Sequence, residues 1–316
     1  MKNLFALLFL SLLLPINLQA QNADTLFNQG MMNLENNDGK KAEKLFKSAI
    51  KMDSTQANYY GMLAYTLKTI EKYQESLDLY MLAIEKFPTN TDLLNGRGNL
   101  LLELRYYDNA YDDFTEAIKY AASDTVKFSI YTNRAAASMR KRDFESAYRD
   151  LIYAYKFDST DIAVLTNLGA MCDEVGRGDE TLKYLIKVTE IDPDFIPAYG
   201  NIGYKYQVMG EHEKAIEYFD MVIEKSDGPE MKGVGHTNRS FSKLKLDDLK
   251  GAIKDSETGI KLYPANSYAY TIYARALIEK GKMRGACEAL ETAIAQGYTI
   301  TYGEEALELQ RKHCKN

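Results

Sequence analysis

One period governs this sequence. Stepping by 34 residues from Ala49 reaches Ala83 and Ala117, and three inserted residues, 125–127, then shift the frame. The steps resume through Ala154, Val188 and Val222, and a second insertion, 230–232, leads to Gly259 and Ala293. The units so defined are 23–56, 57–90, 91–124, 128–161, 162–195, 196–229, 233–266 and 267–300, with a cap over 301–316. A unit this short cannot bury its own apolar face, so neighbouring units must stack and share a core. No room remains in that span for a separate catalytic domain.

Position by position, the units agree on side-chain size. Position 8 reads Gly30, Ala64, Gly98, Ala135, Gly169, Gly203, Ser240 and Ala274, and position 20 reads Ala42, Ser76, Ala110, Ala147, Thr181, Ala215, Ala252 and Ala286. Small residues at two fixed places mark where two helices cross closely. Position 24 is bulky in all units but one: Phe46, Tyr80, Phe114, Leu151, Leu185, Phe219 and Leu290, against Ser256. Other apolar residues follow the helical i, i+3, i+4 spacing, as in Ala215-Ile216, Phe219 and Val222-Ile223. Pro88, Pro193 and Pro264 at position 32 stop the second helix before the next unit begins.

These residues resemble the tetratricopeptide repeat, a 34-residue helix–turn–helix unit. The resemblance covers 23–300 and implies an all-α fold: a right-handed α-solenoid of eight repeats plus a C-terminal capping helix, running as one superhelix over 21–316 with first helices lining a concave groove. Departures are local. Position 4 is never Trp, and repeats 5 and 7 carry Thr181, Val188, Ser256 and Gly259 where signature residues are expected.

The first twenty residues read differently. Lys2 is followed by an apolar run from Leu4 to Leu14, ended by Pro15, and Leu18-Gln19-Ala20 offers a cut after a small residue. That is the pattern of a secretory signal peptide, and the run is too short to span a bilayer. No later segment is long and apolar enough to be transmembrane. The expected mature protein is exported and soluble, in a periplasm, at a cell surface or secreted. Removing residues 1–20 takes out one lysine and no acid, moving the net charge from −6 to −7. An acidic balance of 39 Lys+Arg against 45 Asp+Glu excludes the basic stripe of a nucleic-acid binder.

Chemistry-bearing motifs are missing. No phosphate loop, zinc-helix motif, nucleophile elbow or Cys-x-x-Cys occurs, and His212, His236 and His313 fall at unrelated repeat positions, where each reads as a surface or turn residue. The expectation is a protein that is not an enzyme, with no catalytic residue, no metal and no cofactor. Arg97, Arg134 and Arg239 all occupy position 7, and position 23 is Asp in those same units: Asp113, Asp150 and Asp255. Positions 7 and 23 are equidistant from the turn at position 15, so an antiparallel hairpin sets them opposite each other. Three intra-repeat ion pairs are predicted, Arg97–Asp113, Arg134–Asp150 and Arg239–Asp255, because a buried charge needs a partner.

Position 6 carries Asn133, Asn167, Asn201 and Asn238 in four consecutive units. This looks like the asparagine ladder lining the groove of the O-linked N-acetylglucosamine transferase superhelix. Each amide offers a donor and an acceptor, so spaced amides can grip a peptide backbone without reading its side chains. The competing reading is local capping or packing of these amides. Position 9 adds Tyr65, Asn99, Tyr204 and Phe241 for stacking and apolar anchoring. Chaperone-tail adaptors of this fold hold a terminal carboxylate with Lys, Asn and Arg. Here Asn99 and Asn133 match that clamp but Asn95, Ala163 and Asn167 stand where cations are needed, so a carboxylate ligand does not fit there. The 24 tyrosines, against 12 Phe and no Trp, divide between repeat fill (Tyr73, Tyr80, Tyr107) and groove candidates.

Cys287 and Cys314 are centred on the Gly297–Gly303 turn, and an antiparallel pair about that turn favours a disulfide in an exported protein, while Cys172 is expected as a buried thiol. Together these features describe a non-catalytic protein-interaction scaffold that binds a protein or extended peptide in its groove. The alternatives are a structural subunit of a cell-envelope complex using its convex face or ends, and a glycan- or peptidoglycan-associated binding protein.

Overall fold

The computed structural model describes residues 22–314; the expected signal peptide and its cut after Ala20 lie outside the described residues. The described chain is all-α, without a strand. It forms two compact units divided after Ser159.

In the first unit the helices are α1 (22–35), α2 (Gly39–Met52), α3 (Ala57–Thr69), α4 (Tyr73–Lys86), α5 (Thr91–Glu103), α6 (Tyr107–Tyr120), α7 (Asp124–Lys141) and α8 (Phe144–Phe157). The second unit holds α9 (Ile162–Glu174), α10 (Thr181–Ile191), α11 (Ile196–Val208), α12 (His212–Lys225), α13 (Pro229–Lys245), α14 (Leu249–Leu262), α15 (Ser267–Glu279), α16 (Met283–Ala295), α17 (Tyr298–Tyr302) and α18 (Glu305–His313). Within each unit, each helix packs on the next, and pairs stack in chain order.

The two insertions are not loops. They add a turn to the front of a first helix, which is why α7 has 18 residues and α13 has 17 where most first helices have 13. The local sequence explains the lengthening. The Ser123 hydroxyl accepts from the Val126 N–H as an N-cap, and Pro229 sits in the first turn of α13, where its missing N–H costs nothing.

Each hairpin turns on one residue in the left-handed region at position 15: Asn37, Glu71, Arg105, Arg142, Gly176, Gly210, Asp247 and Gly281, with φ between 60° and 77°. The next residue's N–H reaches back five residues to a first-helix carbonyl, as Lys72 N to Leu67 O at 2.8 Å and Glu211 N to Tyr206 O at 2.9 Å. This is the Schellman arrangement, which satisfies carbonyls left over at a helix end. Glycine enters it without strain; Glu71, Arg105 and Arg142 do not, and the closure of the hairpin holds them there.

The size pattern works as a fitted contact. A Cβ built on Gly30, Gly98 or Gly203 would fall 2.5–2.7 Å from the ring of Phe46, Phe114 or Phe219, sixteen residues later in the same hairpin. Gly169 stands in the same relation to Leu185, at 2.8 Å. In the hairpin where position 8 is Ala64, the Tyr80 ring shares the core with Ala64 and also lies against Gly96 of the next hairpin. Ser256 is accommodated by its partner: Ser240 Oγ lies 2.7 Å from Ser256 Oγ and donates to the Ala252 carbonyl at 2.8 Å, with both serines fully buried. Gly259 in the same hairpin faces Gly233 across α13 and α14, where a Cβ would meet the Gly233 carbonyl at 3.0 Å. Hydroxyl pairing and backbone proximity thus replace a ring in the seventh hairpin.

The second unit ends in a cap. The expected turn between Gly297 and Gly303 is a short helix, α17, so the boundary read at 300 falls inside a helix. Cys287 and Cys314 are bonded, with Cα atoms 5.7 Å apart, joining α18 to α16. Glu305 accepts from Arg275 at 3.0 Å and from the Tyr298 hydroxyl at 2.9 Å, and Ala306 joins the core of Leu290 and Tyr298. Cys172 is a buried free thiol on α9, its ionisation pushed up to about 11 by burial.

Candidate functional site

Charged groups on the helix crossings are satisfied internally. Arg97 donates to Asp113 through Nε at 2.7 Å and Nη2 at 2.6 Å. Arg134 does the same to Asp150 at 2.8 and 2.7 Å and also reaches Thr115 Oγ1 at 3.0 Å. Arg239 donates to Asp255 at 2.8 and 2.6 Å and to Asp220 at 2.6 Å. Bidentate geometry with a nearly buried carboxylate makes these structural ties between first and second helices. The Arg97–Asp113 pair also borders a recess of about 680 Å³ in the first unit, beside Leu77, Met81 and Leu101.

Asp255 is the most crowded of the three acids. Lys243 Nζ sits 2.8 Å from Oδ2 and His236 Nδ1 2.9 Å from Oδ1. Burial alone would raise its pKa, but the hydrogen bonds from His236, Arg239 and Lys243 outweigh that and hold the carboxyl well below the ordinary range. His236 is therefore not the surface residue its sequence position suggested. It lies inside a charge network that counting from the turn could not show, because only Arg239 obeys the antiparallel register.

The groove candidates separate between the units. Asn133, Asn99 and Tyr65 belong to the first. Asn133 donates to Asn95 Oδ1 at 3.0 Å, a neighbour on the preceding first helix, and Lys68 lies over the Tyr65 ring at 5.4 Å. Asn167, Asn201 and Asn238 belong to the second unit, where no side-chain hydrogen bond forms to any of them among the described residues. Asn201 and Asn238 flank Tyr204, which is 62% exposed and stands between two recesses. One, of about 480 Å³, lies toward α9 and α10 with Asn201, Ala170 and Lys205 in its walls. The other, of about 540 Å³, lies toward α13, α15 and α17. Phe241 packs beside His212 and under the cations of Lys245 and Arg275, at 5.5 and 5.6 Å from its ring.

Several wall residues escape the repeat reading. Tyr268 begins α15, Tyr263 precedes the connecting loop, and Tyr302 comes from α17 in the cap; Tyr268 and Tyr302 have ring centroids 5.4 Å apart. The signal was present in the tyrosine count, but these positions vary from unit to unit and no register picks them out. Gln207, in the wall of the recess, ties α11 to α13: its amide donates to the Asn238 carbonyl at 2.7 Å and to Ser242 Oγ at 2.8 Å.

The architecture is that of a helical repeat protein. The tetratricopeptide repeat family model matches residues 196–224, within the α11–α12 hairpin that carries Asn201 and Tyr204. Among curated proteins, the probable UDP-N-acetylglucosamine–peptide N-acetylglucosaminyltransferase SPINDLY of Hordeum vulgare is 26% identical over 162 residues, which is 50% of this chain and 17% of that protein. Superkiller complex protein 3 of Homo sapiens is 23% identical over 214 residues, 67% of this chain and 14% of that one. This chain spans less than a fifth of the length of either relative. The solved C-terminal part of a TPR repeat-containing protein from Cytophaga hutchinsonii shares the fold, with a TM-score of 0.61 and 19% identity, covering 80% of this chain and 99% of that one. Tetratricopeptide repeat proteins mediate protein–protein interactions. No helix among the described residues is long and apolar enough to cross a membrane.

Proposed function

We propose that the chain is a non-catalytic interaction scaffold that holds an extended peptide segment of a partner protein on the first-helix face of its second unit. One observation carries this reading: Asn167, Asn201 and Asn238 present side-chain amides with no intramolecular hydrogen bond at repeat spacing, and two of them flank an exposed tyrosine beside open recesses. Unengaged amides on rigid helices match the alternating donors and acceptors of an extended backbone. Asn133, already paired with Asn95, contributes less. The internal pairing of Arg97, Arg134 and Arg239 with carboxylates supports a groove that binds through amides and not through these cations. Export belongs to the same proposal: the apolar leader read in residues 1–20 and the Cys287–Cys314 bond both suit an oxidising compartment.

The test is selection of peptides from a displayed random library on the chain from residue 21, followed by titration of the winners against Asn201→Ala, Asn238→Ala and Tyr204→Ala. Binding should fall in each variant while far-ultraviolet circular dichroism stays unchanged. Failure to enrich any peptide, or winners that bind all three variants as well as the parent, would remove this reading.

A further inference from the structure

We infer that the recess between Tyr204 and the cap accepts a proline-rich segment in the polyproline II conformation. This rests on the peptide-binding reading and narrows its ligand to one chemical class.

The lining is aromatic, neutral and rich in donors. Tyr204, Tyr263, Tyr268 and Tyr302 contribute four rings, and no charged side chain lines the recess. Among the described residues, none of the four hydroxyls has a hydrogen-bond partner within the chain. Asn238 adds a free amide, whereas the Gln207 amide nitrogen already serves the Asn238 carbonyl and Ser242, and that of Gln296 serves the Pro264 carbonyl at 3.0 Å. Burial pushes Tyr268 up to about 12, so its phenol keeps its proton and stays a donor at any physiological pH.

A ligand for such a surface should bring acceptors and flat apolar faces, and few donors of its own. Proline meets all three conditions. It has no backbone N–H, its ring stacks on aromatic faces, and its carbonyls point outward from a helix that makes no internal hydrogen bonds. Because the polyproline II form is preset, little conformational entropy is lost on docking into an aromatic-lined groove. A glycan fits less well. Each sugar hydroxyl also donates, and this lining contains no carboxylate to accept from it.

The test uses the chain from residue 21 and a fluorescently labelled decaproline peptide, with a glycine–serine peptide of equal length and chitohexaose as comparison ligands. Decaproline should bind saturably and the other two should not. The Tyr268→Phe/Tyr302→Phe double variant keeps both rings and loses two donors, so it should weaken decaproline by about tenfold or more with an unchanged thermal transition. Decaproline binding that is absent, or that survives the double variant intact, overturns the proposal, as does preferential binding of chitohexaose. If library-selected peptides without proline bind through Tyr204, Asn201 and Asn238 while decaproline does not, the proline inference falls and the peptide reading stands. If no peptide of any kind binds, both fall.

Discussion

Replacing Gly203 by alanine tests the glycine-under-ring contact that the first, third and sixth hairpins share. The new Cβ would lie 2.7 Å from Phe219 Cε1 and 2.9 Å from Cζ, roughly an ångström inside the optimal carbon–carbon separation. Overpacking of this kind costs about 1–3 kcal/mol, and alanine returns about 1 kcal/mol of helix propensity, so the net loss should be about 1 kcal/mol. Phe219→Leu alone leaves space over an unchanged glycine and should cost about 1 kcal/mol. Together the two changes recreate a pairing the chain already uses, Ala135 with Leu151 and Ala274 with Leu290, all at most 1% exposed. The double variant should therefore sit within about 0.5 kcal/mol of the parent, a coupling well outside the additivity of independent sites. Urea unfolding followed by circular dichroism gives the three values. Because stacked repeats can open piecewise, hydrogen exchange of the α11 and α12 amides should follow in parallel. Strict additivity of the two losses, or a Gly203→Ala variant stabilised by its full helix propensity, would show that the ring does not gauge the space over position 8.

Other expectations follow from single groups. Asp255→Asn leaves Arg239, Lys243 and His236 around a neutral amide and should cost about 3–5 kcal/mol in urea unfolding at neutral pH. The folded pKa of Asp255 lies below its unfolded value, so its stabilisation is complete above about pH 4 and is lost as pH falls toward the folded value. The Asn variant should lose that part of the acid slope, and an unchanged slope between pH 5 and pH 2 would contradict the assignment. The Cys287–Cys314 bond closes 27 residues, and breaking it with Cys287→Ser should lower stability by about 3.5 kcal/mol on chain-entropy grounds, read as a melting shift that added reductant no longer enlarges. Arg105→Gly relieves a left-handed non-glycine residue and should raise stability by about 0.5–1 kcal/mol in a thermal melt, against the usual cost of glycine near a helix.

Much of the fold was legible because close packing forces a size rule onto fixed positions. Small residues at 8 and 20 and bulk at 24 specify a crossing, and an antiparallel hairpin makes the Arg–Asp and Cys–Cys placements a matter of counting from its turn. What counting missed has physical reasons too. The inserted residues could have been loops by length alone, but the cap at Ser123 and the proline at 229 extend α7 and α13 instead. Three left-handed turn residues carry long side chains because hydrogen bonds on both sides fix the turn. Three of the four rings in the recess were invisible for a simpler reason: Tyr263, Tyr268 and Tyr302 belong to no repeated tyrosine position, and the meeting of Tyr268 and Tyr302 depends on how α17 packs on α15.

The buried serine pair of the seventh hairpin also bears on how such an interior can change. Moving from a glycine under a ring to two facing hydroxyls takes at least two substitutions. Ser240 under a retained ring clashes, and Ser256 over a glycine leaves a void and a hydroxyl without its mate. Either intermediate is less stable than both endpoints, so the two sites should vary together among descendants and resist single exchanges. A stacked array makes such a crossing survivable, since neighbours on both sides keep a weakened hairpin folded while the second change arrives. A repeat protein can therefore diversify its interior one hairpin at a time, each through its own narrow pass.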